Sequence, residues 1–225
     1  TVNGGAGGNS TDNGGAGAGG RIAIKYSNGT TSTLTSQAYG GSGSNSAGNA
    51  AAGTIFTKLS SQSGGDLLID NNNKQLTVGT AGLDLDRYTL LDGGLTFDTV
   101  TASGSVQILA TSSTLTITTL SMQNEANFIV ATGSSLTYTS LDFSDGGILT
   151  ERGTINFPTS LTVASGTEIR LDRTRSFSGL TVDGVVSHSP NENTQDYTLD
   201  LTISGDLTIN AGGSIDVDGA GYGAN

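Results

Sequence analysis

The stretch "SLTYTSLDFSDGGILTERGT", residues 135–154, says again what the chain has already said twice. "TLTITTLSMQNEANFIVATGS" fills residues 114–134, and "GLTFDTVTASGSVQILATSS" fills residues 94–113. Each opens on Leu-Thr-apolar and reaches a second apolar patch about a dozen residues later. The first apolar pair recurs as Leu76/Val78, Leu95/Phe97, Leu115/Ile117, Leu136/Tyr138 and Ile155/Phe157, at spacings of 19, 20, 21 and 19 residues. A second series runs between them at the same period: Leu67/Ile69, Tyr88/Leu90, Val106/Ile108, Phe128/Val130, Ile148 and Ile169/Leu171. Leu180/Val182, Leu199/Leu201 and Leu207/Ile209 continue it less regularly.

Residues two apart lie on one face of a strand, and no segment sustains a helical period. Turn signals separate the pairs: "DGG" at Asp92 and Asp145, "ASG" at Ala102 and Ala164, "NAGG" at Asn210. Parallel strands without a crossover helix stack only if the chain winds as a solenoid. The expected fold is therefore all-β, a right-handed parallel β-helix with coils of about 20 residues. One coil cannot bury its own apolar face, whereas stacked coils bury a continuous column. The competing architecture is a β-sandwich, but a sandwich does not repeat one apolar pair at a near-constant period.

Composition agrees. The chain has 225 residues, enough for one large domain. Hydrophobic content of 34% is low, but a narrow column needs few inward residues per coil. Charged content of 13% is too low for a typical disordered chain, and Thr, Ile and Val favour strands. No cysteine is present, which excludes disulfides and thiolate metal sites. A net charge of −11 disfavours nucleic acid as a partner, because an acidic surface repels phosphate. No stretch has the length of a transmembrane helix.

Residues 1–54 are expected to form glycine-rich loops and the first coils, and residues 55–218 the regular coils, of a single domain spanning 1–225. "NGGAGGNSTDNGGAGAGGRIAIKY" and "YGGSGSNSAGNAAAGTIFTK" both end by entering a strand, and "GGSIDVDGAGYGAN" leaves one into another glycine run. Long ordered loops fit this placement better than flexible linkers, since glycine permits close backbone approach. The two ends read as halves of one loop, and neither carries a capping helix, so end-to-end self-association is expected.

With these phrases in view, the chain resembles very large, repetitive, glycine-rich β-helical surface proteins of environmental bacteria. The likeness covers the first 58 residues and about the last dozen. It implies an extracellular, adhesin-like structural role at the cell surface and brings no catalytic residues with it.

β-Helices also carry polysaccharide lyases and hydrolases, so clustered acids matter. Asp84 and Asp86 share a strand face beside Arg87, a paired-carboxylate site or a solvated turn. His188, the lone histidine, reads as a surface residue in a polar insertion. Arg170, Arg173 and Arg175 sit in "EIRLDRTR"; if Ile169 and Leu171 face inward, Arg170 and Asp172 face solvent. Ion pairing across coils with Glu151 or Asp145 is expected, with an anionic glycan as the alternative partner. Calcium candidates are Asp216 and Asp218 in "DVDGAG" and Asn9, Asp12 and Asn13 in "NSTDN", none in an EF-hand or Gly-Gly-x-Gly-x-Asp pattern. Thr77, Thr96, Thr116 and Thr137 should form an outward ladder, extended by Thr118 and Thr139. Such a hydroxyl array would suit a glycan- or ice-binding module. Asn9-Ser10-Thr11 and Asn28-Gly29-Thr30 satisfy the N-glycosylation sequon. The expectation is a structural segment of an extracellular fibre, adhesin or surface layer, and not an enzyme.

Overall fold

A computed structural model describes residues 1–8, 15–30, 35–43, 48–76, 87–144, 146–191 and 194–221. It is all-β and rich in parallel pairing, with seventeen strands and no α-helix among the described residues. Alternating Leu-Thr-Ile-Thr sequences make the strands, because one face is apolar and the other a β-favouring hydroxyl. β4 (Thr89–Ser103) and β5 (Gln107–Gln123) lie in parallel along two faces of the body, with a register shift between Asp92 and Gly94. At that corner Gly93 (φ 91°) and Ser112 (φ 49°) take the left-handed conformation, and buried Ser113 donates its hydroxyl to the Leu91 carbonyl at 2.6 Å.

On one face β5 is followed by β6 (Asn127–Val130), β8 (Ile148–Glu151), β11 (Glu168–Leu171), β14 (Val185–Ser187) and β17 (Ser214–Ile215), all parallel. Their register places Ile108, Phe128, Leu149, Ile169, Val186 and Ile215 in one column. On a second face β7 (Ser135–Ser144) and β9 (Thr154–Ile155) extend the column Leu95, Leu115, Leu136 and Ile155. Beyond it lies β12 (Arg175–Phe177), paired with β15 (Leu201–Ile203). On the third, β10 (Ser160–Val163), β13 (Gly179–Val182) and β16 (Leu207–Ile209) align Leu161, Leu180 and Leu207. Tyr138, Phe157 and Phe177 stack edge-to-face at 6.3 and 6.2 Å, continuing the core from pass to pass. Burying each such side chain contributes roughly 1.5–3 kcal/mol.

The strand parity differs from expectation in two passes. Leu90 is exposed while Thr89 and Leu91 are buried, because Thr89 pairs with Ile108 and Leu91 with Ala110. Tyr88 is buried with Leu109 and Ile129 in a separate small cluster. Ile148 is only half-buried, and its neighbours Leu149 and Glu151 hold the inward positions. Leu76 is half-buried outside any strand, and Val78 lies outside the described residues.

Not every strand after residue 54 pairs in parallel. β2 (Thr54–Leu59) and β3 (Asp66–Asp70) pair antiparallel, β1 (Arg21–Tyr26) joins β2 in parallel, and β3 joins β4 in parallel. The chain thus reverses at Gly64 and Gly65. Asp98 accepts the N–H groups of both, at 3.2 and 3.1 Å, and the Ser63 hydroxyl at 2.9 Å. These bonds, with the backbone of Gly65 foremost, hold the Asp98 carboxyl below the usual carboxylate range.

The glycine-rich residues are ordered where described. Four extended segments, 2–7, 17–20, 37–42 and 50–53, bond to one another through their backbones. The second accepts or donates to all three others: Gly17 N–H to Gly5 O, Gly41 N–H to Gly17 O, Gly19 N–H to Ala51 O. The third likewise reaches the other three. A pleated strand points its backbone groups to two sides only. Three bonded neighbours require groups pointing three ways, as in a three-residue-per-turn extended helix of the polyproline II type. Such packing leaves no room for Cβ: a methyl at Gly53 would strike the Gly20 carbonyl. Buried Asn71 fastens the bundle to the body, accepting the Gly40 N–H at 2.8 Å and donating to the Ala50 carbonyl at 3.2 Å.

Candidate functional site

A cluster of charged residues lies where β8, β11 and β12 meet. Glu151 shares a register line with Val130 and Leu171, both buried and apolar, so its carboxylate points into the core and has no exposed side-chain surface. Arg175 lies two residues before Phe177, the ring that continues the aromatic stack, and so projects from the same side of β12. The two form a forked ion pair. Arg175 Nε reaches Glu151 Oε2 at 2.6 Å, and Nη2 donates to Oε1 and, at 2.7 Å, to the Ile155 carbonyl. Glu151 Oε1 also accepts the Ile155 N–H at 2.8 Å, and the guanidinium lies 5.5 Å over the Phe157 ring.

A second pair binds the next passes. Arg152 Nε donates to Asp172 Oδ2 at 3.1 Å, and Asp172 Oδ1 accepts the Ser189 N–H at 2.6 Å. Asp172 was expected in solvent, yet its side chain has no exposed surface, because the inserted segment after Ser187 folds over it. Arg152 also stacks on the Tyr197 ring at 4.8 Å. Arg170 pairs with its neighbour Glu168 at 2.8 Å, and Ser187 donates to the same carboxylate at 2.6 Å. Burial opposes ionisation of Glu168, but the Arg170 and Ser187 hydrogen bonds win and hold it below its ordinary value. Arg173 donates to the Gly153 carbonyl at 2.5 Å. The expected pairing with Glu151 thus falls to the half-buried Arg175, which meets a fully buried carboxylate, while Asp145 lies outside the described residues.

His188 corrects the surface expectation. It is buried, at 9% exposure, because it follows Val186 by two residues and stays on the inward side. Its Nδ1 lies 2.7 Å from the Ser189 carbonyl, so that nitrogen carries the proton. The ring lines a cavity of about 290 Å³ with Asn191, Tyr197, Leu199, Val217 and Ala220. Asn191 is spent on local structure, accepting the N–H groups of Asp196 and Tyr197, each at 2.7 Å.

Of the calcium candidates, Asp216 and Asp218 are exposed and adjacent, and Asp216 Oδ1 accepts the Asp218 N–H at 2.8 Å, a local turn. Asn9, Asp12 and Asn13 lie outside the described residues, as do Asp84 and Asp86. Among the described residues no three acidic, histidine or cysteine side chains are grouped to hold a metal ion, and no helix is long and apolar enough to cross a membrane. Thr96, Thr116 and Thr137 are exposed and in register, flanked by exposed Thr118 and Thr139; Asn156 Nδ2 caps the row on Thr137 Oγ1 at 2.6 Å. Thr77 is not described.

The two ends of the body differ. At the N-terminal end Phe56 packs edge-to-face on Phe97 at 6.2 Å, and Thr89 Oγ1 donates to the Ala52 carbonyl at 2.6 Å. At the C-terminal end the columns stop in the open: Leu207 and Ile209 are each 48% exposed, Val217 44% and Ile215 37%. Sequence reading missed the inward Glu151 and the buried Asp172. A glutamate two residues after Leu149, in step with Val130 and Leu171, was the available signal.

No protein-family model, curated protein or solved structure matches this chain.

Proposed function

We propose that the chain winds as a right-handed parallel β-helix and serves as a non-catalytic structural segment of an extracellular bacterial fibre, adhesin or surface layer. The observation that carries this reading is the run of in-register apolar columns that ends exposed at Leu207, Ile209 and Ile215. A right-handed winding is the favoured connection between parallel strands. The cluster at β8, β11 and β12 supports a structural role, since each of its carboxylates is engaged by a guanidinium and by an N–H or hydroxyl donor. The open end supports end-to-end assembly, in covalent tandem or between separate chains.

Electron microscopy of native material tests the reading. The expected result is a rod whose passes are spaced about 4.8 Å along its axis, with a repeat of roughly 40 Å plus the glycine-rich bundle. Discrete particles without rods, together with cleavage of a polysaccharide by the purified chain, would instead favour a carbohydrate-active enzyme. The in-register hydroxyls of Thr96, Thr116 and Thr137 favour a second reading, a glycan- or ice-binding face. Glycan-array binding or thermal hysteresis lost in Thr116→Tyr would establish it.

A further inference from the structure

We propose that the open C-terminal end of one molecule docks on the N-terminal end of a second copy, and that opposite charge sets this head-to-tail polarity. The inference rests on the structural-segment reading and specifies its contact.

The apolar part of the contact is visible at both ends. Leu207, Ile209 and Ile215 end their in-register columns exposed among the described residues, and Val217, two residues beyond Ile215, is exposed as well. β15, β16 and β17 are the last strands of their sheets, so among the described residues each has one edge with no strand beside it. At the opposite end β1 closes its sheet in the same way, carrying half-buried Ile22 and Ile24. Exposed Val2 lies against Gly20, just before β1.

Apolar surface alone does not choose between two arrangements. Two C-terminal ends related by a two-fold axis would cover the same side chains as a head-to-tail contact. Charge separates them. Residues 176–225 contain seven acids and no lysine or arginine, with Asp200, Asp206, Asp216 and Asp218 exposed around the last pass. Residues 1–58 contain Arg21, Lys25 and Lys58 against the single acid Asp12, in a chain of net charge −11. Arg21 and Lys25 are exposed on β1. Facing C-terminal ends would bring two acidic rims together. Head-to-tail docking sets the acidic rim against the one basic end, and like-charge juxtaposition excludes the alternative.

The test is sedimentation velocity on the whole chain at low and high salt, with folding of each variant checked by circular dichroism. The wild-type chain is expected to form an open concentration-dependent ladder that weakens as salt screens the rims. Arg21→Glu with Lys25→Glu makes both ends acidic, and Asp206→Lys with Asp218→Lys sets two lysines against the remaining Asp200 and Asp216, so the C-terminal rim loses its acidity. Each double variant alone should associate about tenfold more weakly or worse, and an equal mixture of the two should recover association. Ladders unaffected by Arg21→Glu with Lys25→Glu would overturn the proposal. A wild-type chain that stays monomeric at low salt would overturn it too. Neither result touches the structural-segment reading, which depends on rods in native material.

Discussion

Glu151 stands where the passes before and after it place Val130 and Leu171, and it is tolerated there because Arg175 meets it from the neighbouring face. Taking a carboxylate fully out of water is costly unless it is paired and hydrogen-bonded, and Glu151 is both. Arg175→Leu should therefore destabilise the chain by about 3 kcal/mol or more, by leaving Glu151 buried and unpaired. Glu151→Leu should cost a similar amount. The double variant Glu151→Leu/Arg175→Leu restores an apolar column and should recover most of that loss. Urea unfolding of the four proteins measures the coupling, and strictly additive losses would mean that the pair does not act as a unit. Tyr138 poses the opposite case. Its hydroxyl is buried without a partner among the described residues, and burial pushes its pKa up to about 12 although the Arg175 charge pulls it down. The folded state holds the phenolic proton more tightly than the unfolded chain. That share of stability is whole below about pH 10 and is lost as pH rises towards 12. Tyr138→Phe should unfold later on heating at neutral pH, by about 1 kcal/mol of added stability, and its stability should fall less steeply above pH 10.

Among the elements, the four glycine-rich segments depend on backbone contact more than on side chains. Their middle two segments each bond to three neighbours, and the carbonyls crowd against glycine Cα positions. Gly53→Ala should cost about 1–3 kcal/mol, since neither colliding partner is a side chain that can swing away. Limited proteolysis should then cut within residues 1–58 first, while the body stays intact. Gly5→Ala is the matched control, because a methyl there meets nothing. If both variants resist protease equally, close packing is not what orders the bundle. The β2–β3 hairpin has a related logic. Reversing the chain between β2 and β3 lets Phe56 lie edge-to-face on Phe97.

Across the whole molecule burial is unequal. Ile108, Phe128, Leu149 and Ile169 are covered from both sides along the axis, while their counterpart Ile215 is 37% exposed. Local opening should follow that gradient. Hydrogen exchange is expected to be slowest in β5, β6 and β8 and fastest in β16 and β17. Protection of β16 and β17 should rise with protein concentration if the end is covered by another copy. A flat protection profile along the axis at low concentration would show that the body opens as one cooperative unit.

The near-constant spacing of Leu95, Leu115, Leu136 and Ile155 was enough to read parallel stacking, because one chemical pattern repeated at one period has a single use for its apolar face. The outward threonines were legible for the same reason, as alternation along a strand, and the pairing of an arginine in "EIRLDRTR" with Glu151 was expected, but not its place in the core. The rest was decided by tertiary contact. Strand parity in the pass of Leu90 depends on which partner lies opposite, and a slip of one residue exchanges the faces. The buried place of Asp172 depends on the segment after Ser187 that lies over it, which no local pattern encodes. The reversal at Gly64 and the three-way bonding of the glycine segments likewise arise from chain meeting chain, since glycine permits many backbone paths and only packing selects one.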